Sequence, residues 1–177
     1  MKTLLISGKA GSGKDTVAKI IESILHQRNK EVLILHFADL VKFYAEHYWG
    51  WNRLKDKDGR YILQYIGTEL MRRTFPTYWA EIIGKFLYAL QLNGLYDYCI
   101  ISDWRFINEF DVVSEYAEHL TAIRIERPNY NNDNLTYEQK HHISETQLDN
   151  FPFDWIVENS GTLTDLEDSL NIILEHI

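Results

Sequence analysis

The stretch Leu4-Leu5-Ile6-Ser7-Gly8-Lys9-Ala10-Gly11-Ser12-Gly13-Lys14-Asp15-Thr16 leaves few folds open. A short apolar run enters a glycine-rich turn, and a lysine then opens an amphipathic helix pattern. Such a turn presents successive backbone N–H groups as an anion-binding nest. The helix that follows adds the positive end of its dipole. Gly8, Gly13 and Lys14 have the Gly-x4-Gly-Lys spacing of a phosphate-binding P-loop, whose lysine reaches the β- and γ-phosphates of a nucleotide. Asp15 stands where that pattern carries Ser or Thr. Gly8, Ala10, Gly11, Ser12, Gly13, Lys14, Asp15 and Thr16 are therefore the expected donor-phosphate contacts.

The order of elements extends this start into a parallel sheet. Thr3–Ser7 reads as a strand buried on both faces. Val17, Ile20, Ile21, Ile24 and Leu25 recur at helical spacing, and Glu31–Phe37 holds a second strand. Ala38–Trp51 reads as an aromatic-rich helix, and Arg53–Arg60 as a charged loop. Arg60–Thr74 and Tyr78–Leu92 read as two helices separated near Pro76. Tyr98–Ser102, Leu120–Ile125 and Ile156–Val157 complete five strands, with a helix around Val112–Glu118 and a closing helix at Leu163–Leu174. Strands alternating with helices imply right-handed crossovers, with ligands bound at the carboxyl ends of the strands. Gly8, Phe37, Asp103, Arg127 and Asn159 fall at or just after those ends.

Composition narrows the function classes. The 177 residues suit one domain, with 45% hydrophobic content and a formal net charge of −8. That charge argues against a general nucleic-acid or membrane-surface binder. The single cysteine, Cys99, lies in an apolar run and reads as a buried small hydrophobe. No signal-like or bilayer-length apolar segment is seen, so a cytoplasmic protein is expected. Arg127–Glu145 is polar and Asn-rich, as expected for a lid-like flap over a site. Asp56 and Gly59 match a GTPase switch motif by letter alone, and His141 and His142 read as solvated.

Further stretches carry a family resemblance. Gly13-Lys14-Asp15-Thr16, Phe37-Ala38-Asp39-Leu40-Val41-Lys42, Gly67-Thr68-Glu69 with Arg72 and Trp79, Ser102-Asp103-Trp104-Arg105-Phe106-Ile107-Asn108-Glu109, and His142-Ile143-Ser144-Glu145 stand in series. Together they resemble the deoxynucleoside monophosphate kinases of bacteriophages and related viruses, within the P-loop nucleoside-monophosphate kinase group. Trp104 and Ile107 depart from the family's usual small or β-branched residue and proline.

The resemblance implies an α/β three-layer sandwich, a five-stranded parallel sheet flanked by helices with a mobile flap. It makes residues 1–177 one kinase domain, with an acceptor-binding helical region at about 38–92 and a lid at about 127–145. It implies ATP as phosphate donor, Mg2+ held by Asp15 and Asp103, and transfer to a deoxynucleoside 5'-monophosphate. Lys14, Arg72, Arg105 and Arg127 would neutralise charge in the transfer. Phe37, Lys42, Trp79, Asp103 and Glu109, with Arg72 and Arg105, would line the acceptor, and Asn159 would lie at the donor base. Ser144 and Glu145 suit a cap or hinge as well as a substrate contact. Small nucleotides are the expected partners, with a homodimer left open. A kinase for another phosphate ester, such as phosphomevalonate or dephospho-coenzyme A, is the enzymatic alternative. A non-catalytic nucleotide-binding module is the other.

Overall fold

The central strand, β1 (Lys2–Ser7), is buried from Thr3 to Ser7 because both of its faces are covered. The computed structural model describes residues 1–128, 130, 132–133 and 135–177. The other strands are β2 (Val32–Leu35), β3 (Tyr98–Trp104), β4 (His119–Glu126) and β5 (Trp155–Glu158). All pair in parallel, in the order β2-β3-β1-β4-β5. The helices are α1 (Lys14–Gln27), α2 (Ala38–Trp49), α3 (Lys57–Gln64), a π-helical segment (Tyr65–Leu70), α4 (Met71–Thr74), α5 (Tyr78–Asn93), α6 (Ile107–Tyr116), α7 (Tyr137–Lys140), α8 (Ile143–Thr146) and α9 (Leu163–His176).

Strand alternation sorts the core into layers. Leu4 and Ile6 point with Ile100, Ile123 and Val157 towards α1 and α9, meeting Ile21, Leu25 and Leu170. Leu5 points the other way with Cys99, Ile101 and Ala122, towards Ala80 and Leu87 of α5 and Val113 of α6. The result is the expected three-layer sandwich. Burial pushes the Cys99 thiol up to about 12, so it stays protonated inside the core. A third cluster, Val41, Ala45, Trp51, Ile66 and Trp79, joins α2, the π segment and α5 beside the sheet. Trp104 is fully buried against Phe110, Phe151 and Phe153, and its indole N–H donates to the Phe106 carbonyl at 2.8 Å. The bulky residue there is thus matched by an aromatic nest on the face away from the cleft.

Three boundaries differ from the sequence reading. The Arg53–Arg60 loop is helical from Lys57, because the Asp56 carboxylate accepts from the Gly59 N–H at 2.8 Å and caps α3. The expected Arg60–Thr74 helix is broken into α3, the π segment and α4. The helix expected near Val112–Glu118 begins at Ile107, because the buried Glu109 carboxylate accepts from the N–H groups of Arg105 and Phe106 at 2.8 and 3.0 Å. Within the lid segment, Asn129, Asn131 and Asn134 lie outside the described residues.

Candidate active site

The carboxyl ends of the strands converge on a cleft of about 290 Å³, at the small end of ligand-pocket sizes. Its walls come from the P-loop, the start of α2, α3 with the π segment, the end of β3, and α8. Of the residues expected at this edge, Phe37 and Asp103 line the cleft, while Gly8, Arg127 and Asn159 are not among its lining residues.

The P-loop wraps from β1 into α1. Gly13 sits at φ 98°, and a Cβ there would lie 2.4 Å from the Asn159 amide nitrogen, so only glycine fits. That amide donates to the Ser12 carbonyl at 2.9 Å. Asn159 therefore holds the loop's outer face from the end of β5. Arg127 donates to the Gly11 carbonyl at 3.4 Å, and its guanidinium lies 4.4 Å above the Tyr130 ring. Tyr130 covers Gly11 so closely that a Cβ there would fall 2.4 Å from the ring.

Lys14 is buried, and its ammonium donates to the carbonyls of Gly8 at 2.7 Å and Lys9 at 3.1 Å. Burial lowers its pKa to about 7, and the nearby Arg105 charge adds to the effect. A phosphate placed in this loop would supply the missing negative charge. The Ser12 hydroxyl, also buried, has no hydrogen-bond partner among the described residues.

Across the cleft the cations are held by acids. Arg72 of α4 pairs with Glu109, and its guanidinium stacks 3.9 Å over the Phe106 ring. Its Nε is buried and lacks a partner among the described residues. Burial pushes the Glu109 carboxyl upwards, while Arg72 and the two capping N–H groups favour its charged form. Glu109 is thus a positioning residue that ties α4, α6 and the end of β3 together. Arg105 pairs with Glu145 at 2.8 Å and donates to the Ser144 carbonyl at 3.3 Å. Lys42 pairs with Asp39 at 2.8 Å, one helical turn before it on α2.

Asp103 accepts from the N–H groups of Phe37 at 2.8 Å and Ala38 at 2.9 Å, one at each carboxylate oxygen. It thereby caps α2 while still lining the cleft. Asp15 is exposed on the opposite side and accepts from the Ser102 hydroxyl at 3.3 Å. Phe37 and Trp79 belong to the wall: Trp79 is 1% exposed, and its indole N–H donates to the Gly67 carbonyl at 3.0 Å. Neither ring stands free as a stacking plate. Thr16 is exposed on α1 and is not among the residues lining the cleft.

Glu145 makes the least expected contact. Its carboxylate accepts from the Ala10 N–H at 2.8 Å and from Arg105 at the same distance, bridging α8 to the P-loop. A carboxylate thus occupies one of the N–H groups that a P-loop offers to phosphate. His142, read from sequence as solvated, instead caps α8: its Nδ1 lies 3.2 Å from the Ser144 N–H, and its Nε2 lies 3.7 Å from Glu69.

A family model for deoxynucleotide monophosphate kinase matches residues 51–170, about two thirds of the chain. The chain belongs to that family. It is a nucleotide kinase with a P-loop. The matched span contains Arg72, Arg105, Glu109 and Glu145 but begins after the P-loop, so geometry alone assigns the phosphate loop.

No curated protein matches the chain. Among solved structures, a sugar kinase from Janibacter sp. HTCC2649 is 13% identical with a TM-score of 0.59, over 99% of this chain and 95% of its own. The Mycobacterium tuberculosis APS kinase CysC, solved in complex with AMPPNP and APS, is 12% identical with a TM-score of 0.53, over 98% and 97%. At such identities these likenesses establish the kinase's fold.

Sequence reading of this kinase assigned no site role to Arg60 or Gln64 and quoted Thr68 only within the Gly67-Thr68-Glu69 stretch; all three line the cleft from α3 and the π segment. They share one face with Arg72. Four-residue steps along an α-helix drift by about 40° each. The wider i→i+5 turns of the π segment offset that drift. The spacing 60, 64, 68, 72 is visible in the sequence, but a π turn has no clear sequence signature.

Proposed function

We propose that the protein transfers the γ-phosphoryl group of ATP to a deoxynucleoside 5'-monophosphate, giving the diphosphate. One observation supports this most directly: Ala10 and Asp15 of the P-loop line the same cleft as Arg72 and Arg105, and Arg105 lies near enough to the buried Lys14 to help lower its pKa. Two anions need two cationic poles to approach each other. The acceptor phosphate is already nucleophilic, so positioning and charge neutralisation carry the catalysis. An acceptor oxygen forms the new bond to the γ-phosphorus as the bridging β–γ bond breaks, and the charge left on the β-phosphate falls to Lys14 and the loop N–H groups. Arg105, between the two poles, is suited to the equatorial oxygens, and Arg127 to the donor side.

Asp15 and Asp103 both line the cleft as oxygen donors, which fits Mg2+, an ion that keeps several waters and relies on few carboxylates. When bound, the ion would neutralise charge on the donor phosphates. Phe37, Phe106 and Trp79 beside Arg72 give the acceptor cleft apolar, aromatic walls. ATP consumption measured against the dNMPs, the NMPs, phosphomevalonate and dephospho-coenzyme A tests the reading. Turnover is expected with at least one dNMP, and activity confined to the two non-nucleotide acceptors would overturn it.

A further inference from the structure

We infer that Glu145 is a latch shared by the donor and acceptor sites, so that either phosphate, once seated, eases the binding of the other. The inference rests on the two-phosphate reading above and deepens it. A single oxygen of Glu145, Oε2, lies 2.8 Å from the Ala10 nitrogen and 2.8 Å from Nη1 of Arg105. Ala10 belongs to the loop that receives the donor phosphates, and Arg105 shares the cleft with Arg72 at the acceptor phosphate. The Glu145 side chain is only 10% exposed, so water does little to replace those two partners. Its negative charge also acts on the Lys14 ammonium. The carboxylate thus stands where a phosphate oxygen would, against a loop N–H and a guanidinium, with the P-loop lysine nearby.

The backbone that carries Glu145 is tied down independently. The Glu145 N–H donates to the His142 carbonyl at 2.8 Å, and His142 Nε2 lies 3.7 Å from Glu69 Oε1. The Gln147 side-chain carbonyl accepts from the Ile107 N–H at 3.0 Å. These contacts hold α8 against the π segment and α6. Giving up the Ala10 and Arg105 bonds therefore takes a rotation of one side chain and leaves α8 in place.

Because one oxygen serves both partners, the two bonds do not break independently. A donor phosphate that takes the Ala10 N–H leaves Glu145 one partner of two and brings like charge up against it. An acceptor phosphate that takes Arg105 does the same from the other side. Whichever anion arrives first turns the carboxylate out, and the second finds its own partner already vacated. Each ligand alone then binds more weakly in proportion to the open fraction of the latch, and the second ligand recovers that factor. Linkage makes the gain reciprocal. Direct repulsion between the two phosphates works in the opposite sense, but it is present with or without Glu145. The latch is therefore read as a difference between wild type and variant.

Calorimetric titration tests it in the wild type, Glu145→Gln and Glu145→Ala. AMPPNP with Mg2+ is titrated alone and at saturating dNMP, and each of dAMP, dCMP, dGMP and dTMP is titrated alone and at saturating AMPPNP. Gln removes the charge at constant size, and Ala removes the acceptor oxygens altogether. Both variants are expected to bind each ligand alone several-fold more tightly than the wild type. Ternary affinities should stay within about two-fold, so the coupling between the two ligands falls by about 5-fold or more. Thermal melting establishes that each variant is folded. A residue that merely shaped the loop would weaken binary and ternary binding alike with the coupling unchanged, and that result overturns the inference. So does a change confined to one of the two ligands. A wild type that binds no dNMP overturns the acceptor reading instead, whereas dNMP binding with wild-type coupling in both variants sinks only the latch.

Discussion

Arg105 sits where three charges meet: the Lys14 ammonium depresses with it, Glu145 pairs with it, and Glu109 accepts from its backbone N–H. Its main chain is therefore fixed by α6, while its side chain is held by α8, an element free to exchange that contact for a phosphate. This division predicts the behaviour of Arg105→Ala. The backbone cap survives the substitution, so the melting temperature should stay within a few degrees of wild type. The loss falls on the transition state, where removal of one positioned charge donor costs about 10²- to 10³-fold in kcat. ATP affinity, carried by the P-loop, should change much less. A melting temperature lowered by ten degrees or more would assign Arg105 to structure. At the same scale Trp104 shows how local shape can change without touching chemistry. Its ring lies in the Phe110, Phe151 and Phe153 nest, while its neighbours Asp103 and Arg105 face the cleft.

At the scale of elements, the short α8 bridges the P-loop and Arg105. His142 caps it, and Glu145 reaches the Ala10 N–H and Arg105 from its first turn. A carboxylate on a P-loop N–H competes directly with a nucleotide phosphate for the same donor. Glu145→Gln keeps the size and an acceptor oxygen but removes the charge, and charge-assisted hydrogen bonds are roughly twice as strong as neutral ones. ATP should therefore bind several-fold more tightly to the variant, as read by calorimetry or by displacement of a fluorescent nucleotide. Weaker ATP binding would mean that Glu145 supports the loop and does not compete for it. The π segment is the other decisive element. It rephases one helix so that Arg60 and Arg72 share a wall, and a continuous α-helix would turn one of them away.

For the whole molecule, Lys14 couples stability to nucleotide binding with opposite signs. Its pKa is lowered to about 7 by burial, against an ordinary value of about 10.4. Between those values the unfolded chain binds more protons than the folded one, so the Lys14 contribution to stability rises with pH and is complete above about 10.4. Phosphates in the loop favour the charged ammonium, so nucleotide binding takes up a proton over the same window. The melting temperature without nucleotide should gain from this group between pH 7 and 9, while the extra stabilisation conferred by ATP should shrink. Calorimetric titration in buffers of different ionisation enthalpy should detect proton uptake on ATP binding at pH 8 and less of it at pH 6. Lys14→Met should abolish the linkage. Proton uptake that is the same in that variant would place the titrating group elsewhere. The described residues include no helix long and apolar enough to cross a membrane.

What the sequence determined by itself was mostly local. A strand, a glycine turn and a lysine at fixed offset are set by short-range sterics and hydrogen bonding, so the P-loop and its parallel sheet were legible from Leu4–Thr16 and the strand spacing. Cys99 in an apolar run was legible for the same reason. The Asp-x-Arg-Phe-x-Asn-Glu stretch carried Asp103, Arg105 and Glu109 as a group, but not their division of labour. Only the tertiary structure decided that Asp103 caps α2, that Glu109 holds Arg72 from α6, and that Glu145 crosses to the P-loop, because these contacts join residues 37 to 135 positions apart. Trp79 read as an acceptor-lining residue because an aromatic near an arginine looks the same in sequence whether it faces a ligand or a core. Arg60 read as part of a charged loop although Asp56, which caps α3 three residues ahead of Gly59, is a local start signal; the π turn that follows has no such signal. That rephasing is decided by packing against α2 and α5, and periodicity does not encode that packing.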